Sequence, residues 1–197
     1  LATTGPVVLS YGFRPFFLGG SAWAVIAMAL WILALIEGWP IGGDYGAARW
    51  HAHEMLFGFT PAILAGFLLT AVPNWTGRLP VSGGPLLVLL AIWAAGRLAM
   101  LGPDLVGVAS AVVIDSLFLP ALLFVCVREI VAGRKWSDLK VVGGLVALSL
   151  ANLLFHYAVL SADNSGAANR LAVSAYVVLI MVIGGRIITS FTRNWLK

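Results

Sequence analysis

The sequence predicts an all-α membrane protein, a polytopic bundle of about six transmembrane helices. Of its 197 residues, 61% are hydrophobic and only 10% are charged, whereas soluble domains typically carry about 25% charged residues. Apolar runs of roughly 20 residues recur along the chain, which is the length that a helix needs to cross a bilayer. Strict alternation of apolar and polar residues is absent, so barrel strands are excluded. We expect residues 1–197 to form one transmembrane helical domain in a lipid bilayer.

Six apolar segments are expected to cross, at about residues 16–36, 51–72, 85–101, 105–127, 141–160 and 170–188. The first follows Pro15, which suits the first turn of a helix because its missing N–H needs no partner there. Pro61 and Gly66 interrupt the second segment, so a kink near Phe57 is expected. The turn-rich residues 73–80 end that segment. The third and fourth segments should be antiparallel neighbours, because only a short turn at residues 102–104 joins them.

The basic residues predict the orientation, because Lys and Arg concentrate in the cytoplasmic loops of membrane proteins. With six spans, both termini share one side with the loops after the second and fourth segments. Nine basic residues fall on that side: Arg14, Arg78, Arg128, Arg134, Lys135, Lys140, Arg186, Arg193 and Lys197. The other side has three: Arg49, Arg97 and Arg170. Both termini are therefore expected in the cytoplasm, and the net charge of +4 does not indicate nucleic-acid binding.

Candidate ligands for a metal or cofactor gather at the start of the second segment. His51, His53, Glu54 and Met55 supply imidazole, carboxylate and thioether groups, all of which bind metals. On a helix, His51 and His53 point to nearly opposite faces, whereas His51 and Met55 lie one turn apart and can share a ligand. The single cysteine, Cys126, excludes an intrachain disulfide and a cysteine-based metal site.

The expected topology brings the other polar groups into the same layer. His156 and Arg97 each lie about four residues from the outer ends of their segments, roughly 6 Å deep at the helical rise. Asp115 lies nearer the midplane. Ionisable side chains within such segments usually face the bundle interior. We therefore expect the imidazoles of the second and fifth segments to approach each other just beneath the outer surface.

Several roles stay open for the remaining polar residues. Asn152 can orient the imidazole of His156 one turn away, or bond across to a neighbouring helix. The simplest interpretation of Arg97 is a side chain that reaches to the nearby interface. The simplest interpretation of Glu54 is a carboxylate at a helix N-terminus, with proton handling as the alternative. Asp115 can pair with Arg97, bond across helices or belong to a proton path.

The spacing of these residues leaves the cofactor open. A haem needs one or two axial imidazoles and a cation near its propionates; His51 or His53 with His156, and Arg97 or Arg49, would supply them. A copper ion would favour histidine with methionine.

Four strings along the chain carry a resemblance to a known family. They are residues 12–17 (GFRPFF), 50–59 (WHAHEMLFGF), 66–78 (GFLLTAVPNWTGR) and 184–188 (GGRII). They resemble the NnrS family of bacterial inner-membrane proteins. The resemblance implies binding of haem b and copper, and a role in denitrification and in the response to nitric oxide and nitrosative stress, with nitric oxide or a nitrosyl species as ligand. No catalytic reaction comes with it.

Matched residue by residue, His51, His53 and His156 correspond to histidines that the resemblance connects with haem or copper, and Arg14 and Arg186 to arginines without an assigned role. Members of that family typically have about twice as many spans, so the chain resembles an N-terminal half. It is either a natural short form or a piece of a longer protein, and a homodimer would restore a full-sized bundle. Two other classes stay open: a transporter or channel with a broken-helix polar site at Pro61, Gly66 and Asp115, and a structural half-bundle that assembles with a partner.

Overall fold

The computed structural model describes residues 6–196, apart from the side chain of Ser190. Helices make up the chain, and no strand occurs within those residues. Within residues 6–196, six helices are long and apolar enough to cross a membrane: α1 (Phe13–Glu37), α2 (Gly43–Thr76), α3 (Gly84–Leu101), α4 (Val108–Ala132), α5 (Trp136–Leu160) and α6 (Gly166–Trp195). A 3-10 turn at Val7–Leu9 precedes α1, and a short helix, Pro103–Val106, connects α3 to α4. The six helices confirm the predicted fold class.

Helix α2 occupies the centre of the bundle, since it packs against α1, α3, α4 and α6. The other contacts follow chain order: α3 packs on α4, α4 on α5, and α5 on α6. The contact between α3 and α4 agrees with the antiparallel pair that the short turn at residues 102–104 predicts. A residue of α2 therefore has access to side chains from most of the bundle.

Helix α2 extends beyond the second predicted segment at both ends. Helix α2 begins eight residues earlier, at Gly43, and passes through Pro73 to Thr76. Pro61 lies in the first turn of the α-helical stretch Thr60–Thr76, where its missing N–H costs little. Residues Glu54–Phe59 form a π-helical segment, an irregularity that includes Phe57, near which the kink is expected.

Two other boundaries differ from the prediction because of local backbone geometry. Helix α4 begins at Val108 rather than near residue 105, since Gly107 has a φ of +84° and ends the short helix before it. Helix α6 extends to Trp195, well beyond residue 188. Neither change alters the number of helices or their order.

The polar residues that are buried within the described part of the chain divide into two regions. His53, Glu54, Arg97, Asp115, Asn152 and His156 are at most 3% exposed and lie together. Glu129 and Asp138 are buried near the opposite ends of their helices, each beside an arginine. The larger region has the composition of a functional site, because buried ionisable groups in a membrane protein are rare and costly.

Candidate metal centre

The site is built on the π-helical segment of α2. A π-helix accommodates an extra residue per turn and is frequent at functional sites. Three side chains donate hydrogen bonds to carbonyl oxygens of this segment: Thr60 to Met55 at 2.7 Å, Tyr176 to Leu56 at 2.7 Å, and Trp93 to Gly58 at 2.9 Å. These donors compensate the irregular backbone. At its start, the adjacent side chains of His53 and Glu54 are both completely buried.

The imidazole of His53 lies between two carboxylates. Its Nδ1 is 3.0 Å from Oε1 of Glu54, and its Nε2 is 3.2 Å from Oδ2 of Asp115. Oδ1 of Asn152 is also near, 3.1 Å from the same Nε2. Since all three partners present acceptor oxygens, each ring nitrogen must carry either a proton or a cation.

The imidazole of His156 reaches the same carboxylate oxygen from α5. Its Nε2 is 3.0 Å from Oδ2 of Asp115, and its Nδ1 is 2.6 Å from the hydroxyl of Tyr45. The centroids of the two imidazole rings are 4.8 Å apart. The expected approach of imidazoles from the second and fifth helices is therefore confirmed.

Three ligand atoms converge in a way that can hold one metal ion. One atom each from His53, Asp115 and His156 lies within 4.8 Å of the other two, and all three residues are buried. Both Nε2 atoms face the shared carboxylate, while the Nδ1 atoms are occupied by Glu54 and Tyr45. Outer oxygen groups that fix the second ring nitrogen are typical of histidines that bind metals.

Arg97 supplies positive charge to the two carboxylates. Its Nη1 is 2.5 Å from Oε2 of Glu54, and its Nη2 forms an ion pair with Oδ1 of Asp115. The indole N–H of Trp23 also donates to Glu54, at 2.7 Å. The expected interfacial position of Arg97 is wrong, because the two buried acids hold its guanidinium inside the bundle. The expected role of Glu54 as a helix N-terminal carboxylate is wrong as well, since α2 begins eleven residues before it.

Asn152 bonds across helices rather than to His156. Its Nδ2 donates to Oδ2 of Asp115 at 2.9 Å, and its Oδ1 faces His53. Of the two roles that the sequence left open, the contact between helices is the one observed. Asp115 likewise both pairs with Arg97 and bonds across helices.

His51 and Met55 lie outside the cluster. The imidazole of His51 stacks on the indole of Trp31, with centroids 4.0 Å apart and planes inclined by 9°. Met55 is half-buried and packs against the apolar core. The expected divergence of His51 and His53 is therefore observed, and only His53 joins His156.

Arg14 and Arg186 lie at the opposite ends of their helices from the cluster. Arg14 donates to the carbonyl oxygen of Val7 at 2.9 Å and lies beside the rings of Tyr11 and Phe13. Arg186 pairs with Asp138, and its guanidinium lies 5.0 Å from the ring centre of Trp75. Neither arginine contacts the candidate metal ligands.

Sequence reasoning missed Tyr45 and Trp23. Tyr45 falls in what the sequence indicates to be a loop, and Trp23 in a helix whose aromatic residues suggest contact with lipid. The available signal was polarity: a phenol and an indole each need a hydrogen-bond partner when buried. The sequence alone does not say which aromatic residues are buried.

Comparison with known proteins decides the family. A protein-family profile described as "NnrS protein" matches residues 7–197. The chain belongs to the NnrS family. No curated protein and no solved structure gives a significant match. NnrS membership identifies a membrane protein related to the nitric oxide response at the level of the family, which is associated with haem and copper.

In this NnrS chain, the packing around His53, Asp115 and His156 favours a small ion over a haem. The rings of Phe57 and Phe155 lie 5.4 and 5.3 Å from that of His53, and both residues are almost completely buried. A haem held between His53 and His156 would have to separate two imidazoles that now share one carboxylate oxygen. A single ion needs only the space between the three ligand atoms.

Proposed function

We propose that the chain is a copper-binding protein of the bacterial inner membrane that acts in the response to nitric oxide and nitrosative stress during denitrification. The observation that carries the proposal is the convergence of His53, His156 and Asp115 on one buried point. Imidazole nitrogens suit copper.

The charge of the cluster supports a singly charged ion. Glu54 and Asp115 carry two negative charges when ionised, and Arg97 carries one positive charge. With both imidazoles neutral, the buried cluster has a net charge of −1, so either one monovalent cation or one further proton on His53 would make it neutral. Uncompensated charge inside a membrane protein is costly. Cuprous copper therefore fits the cluster better than a divalent ion does.

Neighbouring residues orient the three ligand groups and balance their charge. Tyr45 and Glu54 hold the Nδ1 atoms, so that both Nε2 atoms point to the common site. Asn152 fixes the Asp115 carboxylate, and Arg97 neutralises the acids. When bound, copper would supply one-electron redox chemistry and an affinity for nitric oxide. The three ligand residues are buried. Nitric oxide is small and uncharged, so it needs no polar route to reach them.

Haem b is proposed at His51 rather than between His53 and His156. Nδ1 of His51 and Nε1 of Trp31 are both buried without a hydrogen-bond partner among the described residues. Two unsatisfied polar atoms in one stacked pair support an additional ligand there, because buried polar groups are normally paired. A haem bound to His51 would require the rings of His51 and Trp31, now 4.0 Å apart, to separate. The nitrogens of His53 and His156 are fully engaged within the cluster.

The distribution of basic residues supports an orientation with both termini in the cytoplasm. The end of the bundle where α2, α4 and α6 finish carries most of the Lys and Arg residues. We call it the basic end. In that orientation the candidate metal centre lies near the outer face, and nitric oxide would meet it from that side.

Metal analysis and optical spectra of the purified protein test both assignments. The chain is made with sufficient haem and copper, then compared with His53→Ala, His156→Ala and His51→Ala. We expect about one copper ion per chain, lost in the first two variants and kept in the third. The Soret band of haem should persist in His53→Ala and His156→Ala and be lost in His51→Ala.

His51→Ala is the matched control, because it removes an imidazole from the same helix without touching the cluster. Copper absent from the unaltered protein, or lost equally in all three variants, would refute the copper assignment. A Soret band that survives in His51→Ala would refute the haem assignment.

Of the other classes, the transporter with a broken-helix site has lost its support, since α2 is continuous through Pro61 and Gly66. Assembly with a second copy or with further helices stays a prediction. Native mass measurement in detergent tests the homodimer.

A further inference from the structure

A polar recess opens at the basic end of the bundle. It has a volume of about 390 Å³ and lies where α2 and α6 end and α5 begins. Trp75, Lys135, Ser137, Asp138 and Arg186 contribute the polar part of its lining. This recess is far from the candidate metal centre, which lies near the other ends of these helices.

The recess has an excess of positive charge. Arg186 lies over the ring of Trp75 and pairs with Asp138 through Nη2 alone among the described residues, although a guanidinium has five N–H donors. Lys135 is exposed and adds a second cation. With one carboxylate and two cations, the lining carries a net charge of +1. Arg and Lys in this arrangement are suited to a phosphate group.

An apolar groove of about 390 Å³ adjoins the recess, and the two share Ile187. The groove lies between α1, α2 and α6, with Phe17, Phe67, Ile183 and Gly184 in its walls. It extends along α6 from Ile187 to Tyr176, which is about 16 Å at the helical rise of 1.5 Å per residue. A cationic recess and an apolar groove parallel to a membrane-spanning helix therefore lie side by side at Ile187.

We propose that recess and groove together bind one anionic phospholipid. The phosphate of the headgroup contacts Lys135 and Arg186, and an acyl chain lies in the groove beside Gly184. Basic pockets between transmembrane helices on the cytoplasmic side commonly bind anionic lipid headgroups. Trp75 is placed at the boundary, where tryptophan is enriched in membrane proteins. A charged recess beside an apolar groove suits a lipid, which has a charged headgroup and apolar acyl chains. A free anion would use the recess alone.

Native mass spectrometry with added lipids tests the proposal. Delipidated protein in detergent is reloaded with phosphatidylglycerol or with phosphatidylcholine of the same acyl chains. We expect one phosphatidylglycerol to be retained at least about tenfold more than phosphatidylcholine, and expect Lys135→Gln to reduce that preference. Lys140→Gln is the control, because Lys140 is an equally exposed lysine in the same region that does not line the recess.

A second pair of variants tests the groove. A Cβ added at Gly184 or at Gly185 meets nothing within 4 Å, so a side chain can begin at either position without a clash of its Cβ. Only Gly184 lines the groove. Gly184→Leu should therefore reduce retained lipid severalfold, whereas Gly185→Leu should not. Both changes replace a helical glycine with a better helix former, so their effects on helix stability are matched.

Three outcomes would overturn the proposal. The first is equal retention of the two lipids. The second is competition by millimolar inorganic phosphate together with no effect of Gly184→Leu, which would indicate a free-anion site. The third is a dimer that Gly184→Leu abolishes without any retained lipid, which would show that a second copy occupies the groove.

Discussion

Arg97 of α3 and Asp115 of α4 form an ion pair whose side chains are only 4% and 0% exposed. The same guanidinium contacts Glu54 of α2, so one arginine joins three helices. Removing one partner of a buried ion pair typically costs about 3–5 kcal/mol. Asp115→Asn leaves Arg97 paired with Glu54 alone, and it also replaces the charged acceptor that Asn152, His53 and His156 share. We expect Asp115→Asn to lower the free energy of unfolding by about that amount, measured by denaturant unfolding in detergent.

A double-mutant cycle measures the energetic coupling between Arg97 and Asp115 apart from the general destabilisation that each substitution causes. Arg97→Gln combined with Asp115→Asn should destabilise less than the sum of the two single changes, because the double variant leaves one uncompensated charge fewer. Strictly additive losses would contradict the coupling that the ion pair predicts.

Gly58 permits the arginine to approach α2. A Cβ at this position would collide with Nη1 of Arg97 and Oε2 of Glu54. We expect Gly58→Ala to destabilise the protein by about 1–3 kcal/mol, the usual cost of overpacking, as seen by thermal unfolding.

Gly143→Ala is the control for this change. Gly143 lies within α5, and a Cβ there meets nothing within 4 Å. Alanine should stabilise that helix by about 0.5–1 kcal/mol relative to glycine. Similar effects of the two substitutions would show that the close approach of Arg97 is unimportant.

Tyr45 holds Nδ1 of His156 and should tune metal affinity. Loss of an outer-shell partner typically lowers metal affinity about 10–100-fold. We therefore expect Tyr45→Phe to weaken copper binding by that factor in competition with a chelator, while the helical circular dichroism is unchanged. Tyr157→Phe removes a hydroxyl from the same helix as His156, at a side chain that is 67% exposed. It should leave copper affinity unaltered, and a loss as large as that of Tyr45→Phe would argue against a specific role for Tyr45.

A second buried carboxylate, that of Glu129, lies between arginine side chains at the basic end. Glu129 is buried, and it accepts hydrogen bonds from Arg78 at 2.5 Å and from Arg128 at 2.6 and 2.9 Å. Its partners are about half exposed, so water can solvate them when the acid is neutralised. We expect Glu129→Gln to cost about 1–2 kcal/mol, less than Asp115→Asn. The exposed Glu37 provides the comparison, and Glu37→Gln should have no measurable effect on unfolding. A cost for Glu129→Gln as large as that for Asp115→Asn would contradict this reasoning.

The sequence predicts the helices because hydrophobic length is a strong signal, but their ends depend on backbone details. Pro73 was expected to end a helix that passes through it, and Gly107 shifts the start of α4. The approach of His53 and His156 follows from topology, since both lie a similar distance from the same side of the bundle. The partners of Arg97 and Glu54 do not follow, because they depend on how α2, α3 and α4 are rotated about their axes.

The π-helical segment makes α2 tolerant of a change in chain length at one place and intolerant of it elsewhere. A π-helical turn absorbs one residue more than an α-helical turn, so deleting one residue between Glu54 and Phe59 would restore regular geometry and leave His53 facing Asp115. A deletion within the α-helical stretch Thr60–Thr76 has no such compensation and would rotate everything upstream by about 100° about the helix axis. Homologous chains one residue shorter within Glu54–Phe59 would therefore be expected to keep the metal centre, whereas chains shortened further along α2 would lose it.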